Sequence, residues 1–140
     1  DVPPELIELE LTESLFMDVS PIVQANLQRV YEAGIGLAID DFGTGFSSLS
    51  RLKDIPATKL KIDRTFVQAL PHDPRNRVIV KAMAQLGQDL GMTVVAEGVE
   101  TAEELDACQV AGVDATQGYL HARPMAEADL LVWMQARGQK

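Results

Sequence analysis

Five short β-prone segments alternate with helical segments along this chain, and that order admits few folds. Leu6–Leu11, Gly36–Asp40, Lys59–Ile62, Thr93–Glu97 and Ala115–Gly118 read as strands. A helix is expected near Pro21–Ala33, with Ser20 as N-cap, Pro21 in the first turn and Gly34 as terminator. A short helix follows near Ser47–Lys53. A longer one runs near Arg75–Leu90, with Ile79, Met83, Leu86 and Leu90 on one stripe and Gly91 ending it. Thr101 and Glu104 have capping-box spacing and open a helix that stops at Gly112. The last helix carries Leu130, Leu131, Trp133 and Met134. Strand alternating with helix implies a parallel sheet with helical crossovers, either doubly wound or part of a (β/α)8 barrel.

The strand ends separate the two. Glu10, Asp40, Lys61 and Glu97 lie at or near the carboxyl ends of the first four strands. Alternate residues of a strand share a face, so Leu9, Ile39, Leu60, Ile62 and Ala96 point one way and the charged groups the other. A βα barrel builds its active site at that end. The Gly-rich first turn of a dinucleotide fold is absent. The barrel is therefore favoured, although five units do not close one of about 250 residues.

Bulk properties exclude several classes. The 140 residues suffice for one domain with a core. A net charge of −9 with no basic cluster disfavours duplex nucleic acid. No apolar run approaches the roughly 18 residues of a membrane span, and no signal-peptide pattern is visible. The single Cys108 excludes an internal disulfide and a cysteine-based metal site, and a cytoplasmic setting fits.

Asp40-Asp41 is the sharpest local signal. Adjacent carboxylates repel unless cations sit between them, and one of the pair can bridge two hard metals. Oxygen ligands favour Mg²⁺ or Mn²⁺ over zinc. The competing reading is an Asx turn with a helix cap. Glu10, sharing its face with Glu8, also reads as part of an amphipathic edge strand, and Lys61 as a plain ion pair. Lys61 can alternatively neutralise developing charge or orient a water. Gln117 precedes Gly118-Tyr119 and can reach a ligand by hydrogen bonding. His72 and His121 lack metal-ligand spacing. Phe42 and Phe46 flank Gly43-Thr44-Gly45 as loop anchors. No Ser-His-Asp or Cys-His arrangement is evident.

Five motifs in order resemble one known family. Glu10-Leu11-Thr12-Glu13, Asp40 through Leu49, Lys61-Ile62-Asp63-Arg64, Ala96 through Glu100 and Gln117-Gly118-Tyr119-Leu120 resemble the EAL-domain family of bacterial cyclic di-GMP phosphodiesterases. The resemblance implies a (β/α)8 TIM-type barrel that hydrolyses cyclic di-GMP to linear pGpG with Mg²⁺ or Mn²⁺. By motif, Glu10 is similar to a first-metal ligand, Asp40 to the bridging ligand and Asp41 to a second-metal ligand. Lys61 resembles the lysine that contacts the attacking water, and Glu97 the glutamate that acts as base or water holder. Gln117 resembles a member of the water and substrate network. Glu13 resembles the glutamate bracing the loop Asp41–Ser48, which in the family also joins dimer contacts.

The Glu-Ala-Leu tripeptide that names the family is absent, as are the arginine after it and the asparagine ligand of the next strand. Asn26 falls on an expected helix and Asn76 in an expected loop, so neither replaces the asparagine. The chain thus resembles about the last five βα units of one domain, residues 1–140, with the first three units absent. It is expected to be inactive alone and to form homo-oligomers through the loop after Asp41 or through exposed strand edges. The alternative is a catalytically silent EAL-like module that binds cyclic di-GMP or a protein partner.

Overall fold

A computed structural model describes residues 2–13, 20–45 and 52–138. Five strands, β1 (Glu8–Thr12), β2 (Gly36–Phe42), β3 (Lys59–Ile62), β4 (Thr93–Ala96) and β5 (Ala115–Thr116), form one sheet. All neighbours pair in parallel, and the spatial order β1-β2-β3-β4-β5 follows the sequence. A doubly wound sheet reverses its strand order at a switch point. Sequential order without reversal is that of an arc of a TIM-type barrel.

The described helices are α1 (Pro21–Glu32), α2 (Arg64–Ala69), α3 (Pro74–Asp89), α4 (Ala102–Ala111) and α5 (Glu127–Arg137). Ser20 caps α1 by accepting from the Val23 amide. The Thr101–Glu104 capping box forms in both directions, and Gly112 ends α4 with φ +84°. The short helix expected at Ser47–Lys53 falls mostly outside the described residues, as does Phe46.

The sheet register carries the core. Leu11, Ile39, Leu60 and Val94 stand side by side, as do Ile62 and Ala96. Leu37, Ile39, Leu60, Ile62, Val94 and Ala96 are fully buried in one cluster with Val67, Val80, Ala84 and Cys108 from the helices. At roughly 2 kcal/mol for each large side chain, these aliphatics supply the main cohesion. Leu9 shares this face but is 42% exposed, because β1 is an edge strand. Burial pushes the Cys108 thiol up to about 11, which leaves it an inert core group.

Several elements differ from their sequence-based expectation. Pro4–Leu6 forms a 3-10 turn, so β1 begins at Glu8 and runs through Thr12. The helix α2 has no apolar periodicity and was not expected. Asp63 caps it by accepting from the Thr65 amide at 2.9 Å. The buried stripe of α3 is Asn76, Val80, Ala84 and Gly87, while Ile79 and Leu90 are 44% and 39% exposed. Small residues let α3 approach the sheet, since a Cβ on Gly87 would lie 2.5 Å from Val94 Cγ2. Asn76 is helical rather than in a loop, because Asp73 caps α3 just before it. Its buried amide donates to the Phe66 carbonyl, which ties α3 to α2.

Candidate active site

A β-bulge organises the site. Ile39 pairs with Leu60 and Phe42 with Ile62, which leaves Asp40 and Asp41 together opposite Lys61. A bulge of this kind re-aims side chains near the end of a strand. Asp41 takes φ 55°, a left-handed conformation that Asp and Asn tolerate better than most residues. The extra residue resets the parity, so Phe42 returns to the core and is 4% exposed. Without the bulge, adjacent carboxylates on a strand would point to opposite faces.

Lys61 occupies the centre. Its side chain rises from the face opposite the apolar core and is 5% exposed. Nζ lies 2.5 Å from Glu10 Oε1, 2.7 Å from Glu97 Oε1 and 3.0 Å from Asp40 Oδ1. Burial alone would lower this ammonium's pKa, but its contacts with Glu10, Glu97 and Asp40 more than offset it and hold the group well above its usual value. Nearer the amino ends of the strands, Lys59 Nζ pairs with Glu8 Oε2 at 2.6 Å.

The carboxylates are under electrostatic load. Burial raises the pKa of Glu97, with Asp40 and Glu10 adding to the shift and Lys61 opposing it. Asp41 is raised by burial and by the nearby charges of Asp40 and Asp63, again against Lys61. Asp40, Asp41 and Glu97 each offer an oxygen within 4.8 Å of the others. Asp40 Oδ1 is buried and accepts no properly angled hydrogen bond, despite its ion-pair distance to Lys61. The Lys61 ammonium offsets its charge, and its unfilled hydrogen-bonding capacity leaves it open to a further cation. Three gathered carboxylates form an all-oxygen donor set, which fits a hard divalent ion such as Mg²⁺ or Mn²⁺. Glu10 stands beside this triad, is half exposed and is held through Lys61.

Glu13 holds the loop that follows. Its side chain is buried, and Oε2 accepts from the amides of Gly43 at 2.9 Å and Gly45 at 3.0 Å. Gly43 has φ +100° and sits where a Cβ would lie 2.5 Å from Met83 Cε, so only glycine serves there. Gln117 follows β5 directly, its amide bonded to the Ala96 carbonyl at 2.8 Å. A Cβ on Gly118 would fall 2.1 Å from the Val99 carbonyl oxygen, so the backbones after β4 and β5 touch.

A cleft of about 280 Å³ opens at this end of the sheet, lined by Asp41, Asp63, Arg64, Glu97, Gln117 and Tyr119 among others. Asp63, Arg64 and Tyr119 were not singled out from the sequence as site residues. The cap pattern Asp63-x-Thr65 was the signal available for the first two. His121 stays off the carboxylate cluster, with Nε2 2.7 Å from Thr116 Oγ1. A roomier cleft of about 480 Å³ lies between α3 and α4, lined by His72, Arg77, Lys81, Glu103 and Asp106. Its charges project from surface helices and it shares no residue with the strand-end cluster.

The sequence profile of the EAL domain matches residues 1–124. This chain belongs to the EAL-domain family. It is 41% identical to the cyclic di-GMP phosphodiesterase RocR of Pseudomonas aeruginosa, over 93% of this chain and 33% of that protein. Its fold superposes on the PaMucR phosphodiesterase in complex with c-di-GMP with a TM-score of 0.85 and 42% identity, over 92% of this chain and 52% of that one. It also superposes on Klebsiella pneumoniae BlrP1 in a manganese/cy-diGMP complex, with a TM-score of 0.82, 37% identity and coverage of 88% and 31%. The chain thus spans about half or less of the length of each of these relatives. Among the described residues of this EAL-family chain, no helix is long and apolar enough to cross a membrane.

Proposed function

We propose that this chain is the C-terminal part of an EAL domain that hydrolyses cyclic di-GMP to linear pGpG, and that the first three βα units of the barrel lie upstream. One observation carries the reading. A buried lysine is ringed by Glu10, Asp40 and Glu97, and Asp40, Asp41 and Glu97 bring carboxylate oxygens within 4.8 Å of one another. The cyclic di-GMP activity and ligands named for the relatives support the same conclusion.

In this reading Asp40 would be shared between two Mg²⁺ or Mn²⁺ ions, with Glu10 holding the first and Asp41 the second. The bound ions would activate a water and neutralise phosphate charge. Lys61 holds the reactive water through its ammonium while remaining charged. Glu97, whose raised pKa makes its carboxylate the stronger proton acceptor, accepts or positions the water's proton. Gln117 hydrogen-bonds the ligand beside Glu97. Glu13 fixes the loop after Asp41 so that the bulged aspartate keeps its direction.

Taken alone, the 140 residues lack the upstream ligands and are expected to turn over cyclic di-GMP weakly or not at all, since partial constellations lose activity non-additively. Ile7 and Leu9, before and on the edge strand β1, are 38% and 42% exposed, and homo-oligomers through exposed strand edges or through the loop after Asp41 are expected. The test is chromatographic detection of pGpG from cyclic di-GMP by the complete domain, with Mg²⁺ or Mn²⁺ and with chelator. Metal-dependent product that disappears in Asp40→Asn supports the reading. Tight cyclic di-GMP binding without product would replace it with a silent binding module.

A further inference from the structure

The sheet face that carries the strand-end cluster bears a second ion pair one rung lower. Lys59 Nζ lies 2.6 Å from Glu8 Oε2 and 2.8 Å from Glu8 Oε1, so it takes both oxygens of that carboxylate. The pair reaches over β2, from β1 to β3. The β2 residues on this face are Gly36 and Ala38, whose small size leaves the space. A Cβ on Gly36 would already lie 3.5 Å from Glu8 Oε2. The register makes the partnership a diagonal one. Glu8 is level with Gly36, whereas Glu10 is level with Ala38 and Ala38 with Lys59. Lys59 therefore stands level with Glu10, yet it leans back along the sheet to Glu8. Two residues further along β3, Lys61 takes Glu10. A diagonal contact over two strands is longer than a level one, so Glu10 lies within the reach of Lys59.

We propose that Glu8 is a positioning residue that holds Lys59 away from Glu10 and so keeps Glu10 available to a divalent cation. The inference rests on the reading of Glu10 as a metal ligand and adds how this chain protects it. Lys61 is one ammonium among Glu10, Asp40 and Glu97, which leaves that group two negative charges in excess even before Asp41 is counted. The excess is what draws a divalent ion to the strand ends. Released from Glu8, Lys59 would be a second ammonium level with a carboxylate that is half exposed. Pairing there would cancel one charge of the excess and occupy an oxygen that a cation needs. The Lys59 and Glu8 side chains are 31% and 32% exposed, so salt screens their attraction only in part.

The test is calorimetric Mn²⁺ binding to the complete domain, with Glu8→Gln introduced both into the unmodified protein and into Lys59→Met. Glu8→Gln is expected to weaken Mn²⁺ binding about ten-fold while Lys59 is present. In the Lys59→Met background the same substitution is expected to change the affinity by under roughly two-fold, because no ammonium is left to move onto Glu10. Unchanged melting without metal checks that the variants fold. A crystal structure of metal-free Glu8→Gln is expected to show Lys59 Nζ against the Glu10 carboxylate. Equal weakening in both backgrounds would mean that Glu8 acts through its own charge or through the fold, and would overturn the proposal. Unchanged affinity in Glu8→Gln, or a Lys59 turned away from Glu10 in that crystal, would overturn it as well. Failure of the unmodified domain to bind Mn²⁺ would instead remove the metal-site reading, and the positioning role with it.

Discussion

Lys61 Nζ lies 2.7 Å from Glu97 Oε1, a contact made from the centre of the sheet to the side chain of the residue just beyond β4. The pair joins a strand interior to the segment that turns into the cleft. It is not an ordinary surface bridge, because the lysine is 5% exposed and two more carboxylates share it. Removing one partner of a buried charge group costs far more than the pair itself contributes.

Lys61→Met is therefore expected to destabilise the metal-free protein by about 3 kcal/mol near neutral pH, because Glu10, Asp40 and Glu97 are left facing one another. Urea denaturation measures the loss. Most of it should return in acid, where the carboxylates protonate. A loss well under 1 kcal/mol, unaffected by acid, would mean that the carboxylates do not depend on the lysine.

The pH dependence follows from the directions of the shifts. A lysine whose folded pKa is raised contributes fully below its unfolded value of about 10.4 and loses that contribution only as pH climbs through the folded value. Between pH 6 and 9 Lys61 therefore adds no slope. Glu97 and Asp41 are raised, so their ionisation opposes folding. No penalty exists below their unfolded values near 4, and it develops as pH rises through the folded ones. The metal-free protein should lose stability from these groups as pH rises above about 4, and Glu97→Gln should flatten that slope. An unchanged slope in thermal melts would contradict the assignment.

Glu13→Gln weakens an acceptor that serves two amides. Hydrogen bonds to a charged group contribute about 1.5–3 kcal/mol, and part of that is retained by the amide oxygen. The expected result is faster hydrogen exchange at Gly43 and Gly45, with the exchange of β3 and β4 amides unchanged. Equal protection at both glycines would show that Glu13 does not brace this loop.

Much of this was legible in the sequence because strand parity is a strict period. Ile39, Leu60, Ile62 and Ala96 lie on one face and Lys61 on the other, as alternation requires. The capping box at Thr101 and the stop at Gly112 are local chemistry and were equally readable. The bulge was not read, although Phe42 at the wrong parity was its signal. The α3 stripe was misjudged by one position because close approach through Ala84 and Gly87 outweighs the size of Ile79 and Leu90. Tyr119, which lines the cleft, was missed because a lone aromatic after a short strand carries no periodic mark. Arg64 was missed because the room for its stem beside the cleft is left by Gly98, far away in sequence.

The most direct measurement is a calorimetric Mn²⁺ titration of the complete domain and its Asp40→Asn variant. If the carboxylates gathered around Lys61 hold divalent cations, the variant should bind at least roughly ten-fold more weakly while melting at a similar temperature without metal. Equal Mn²⁺ affinity in the two proteins would contradict the account.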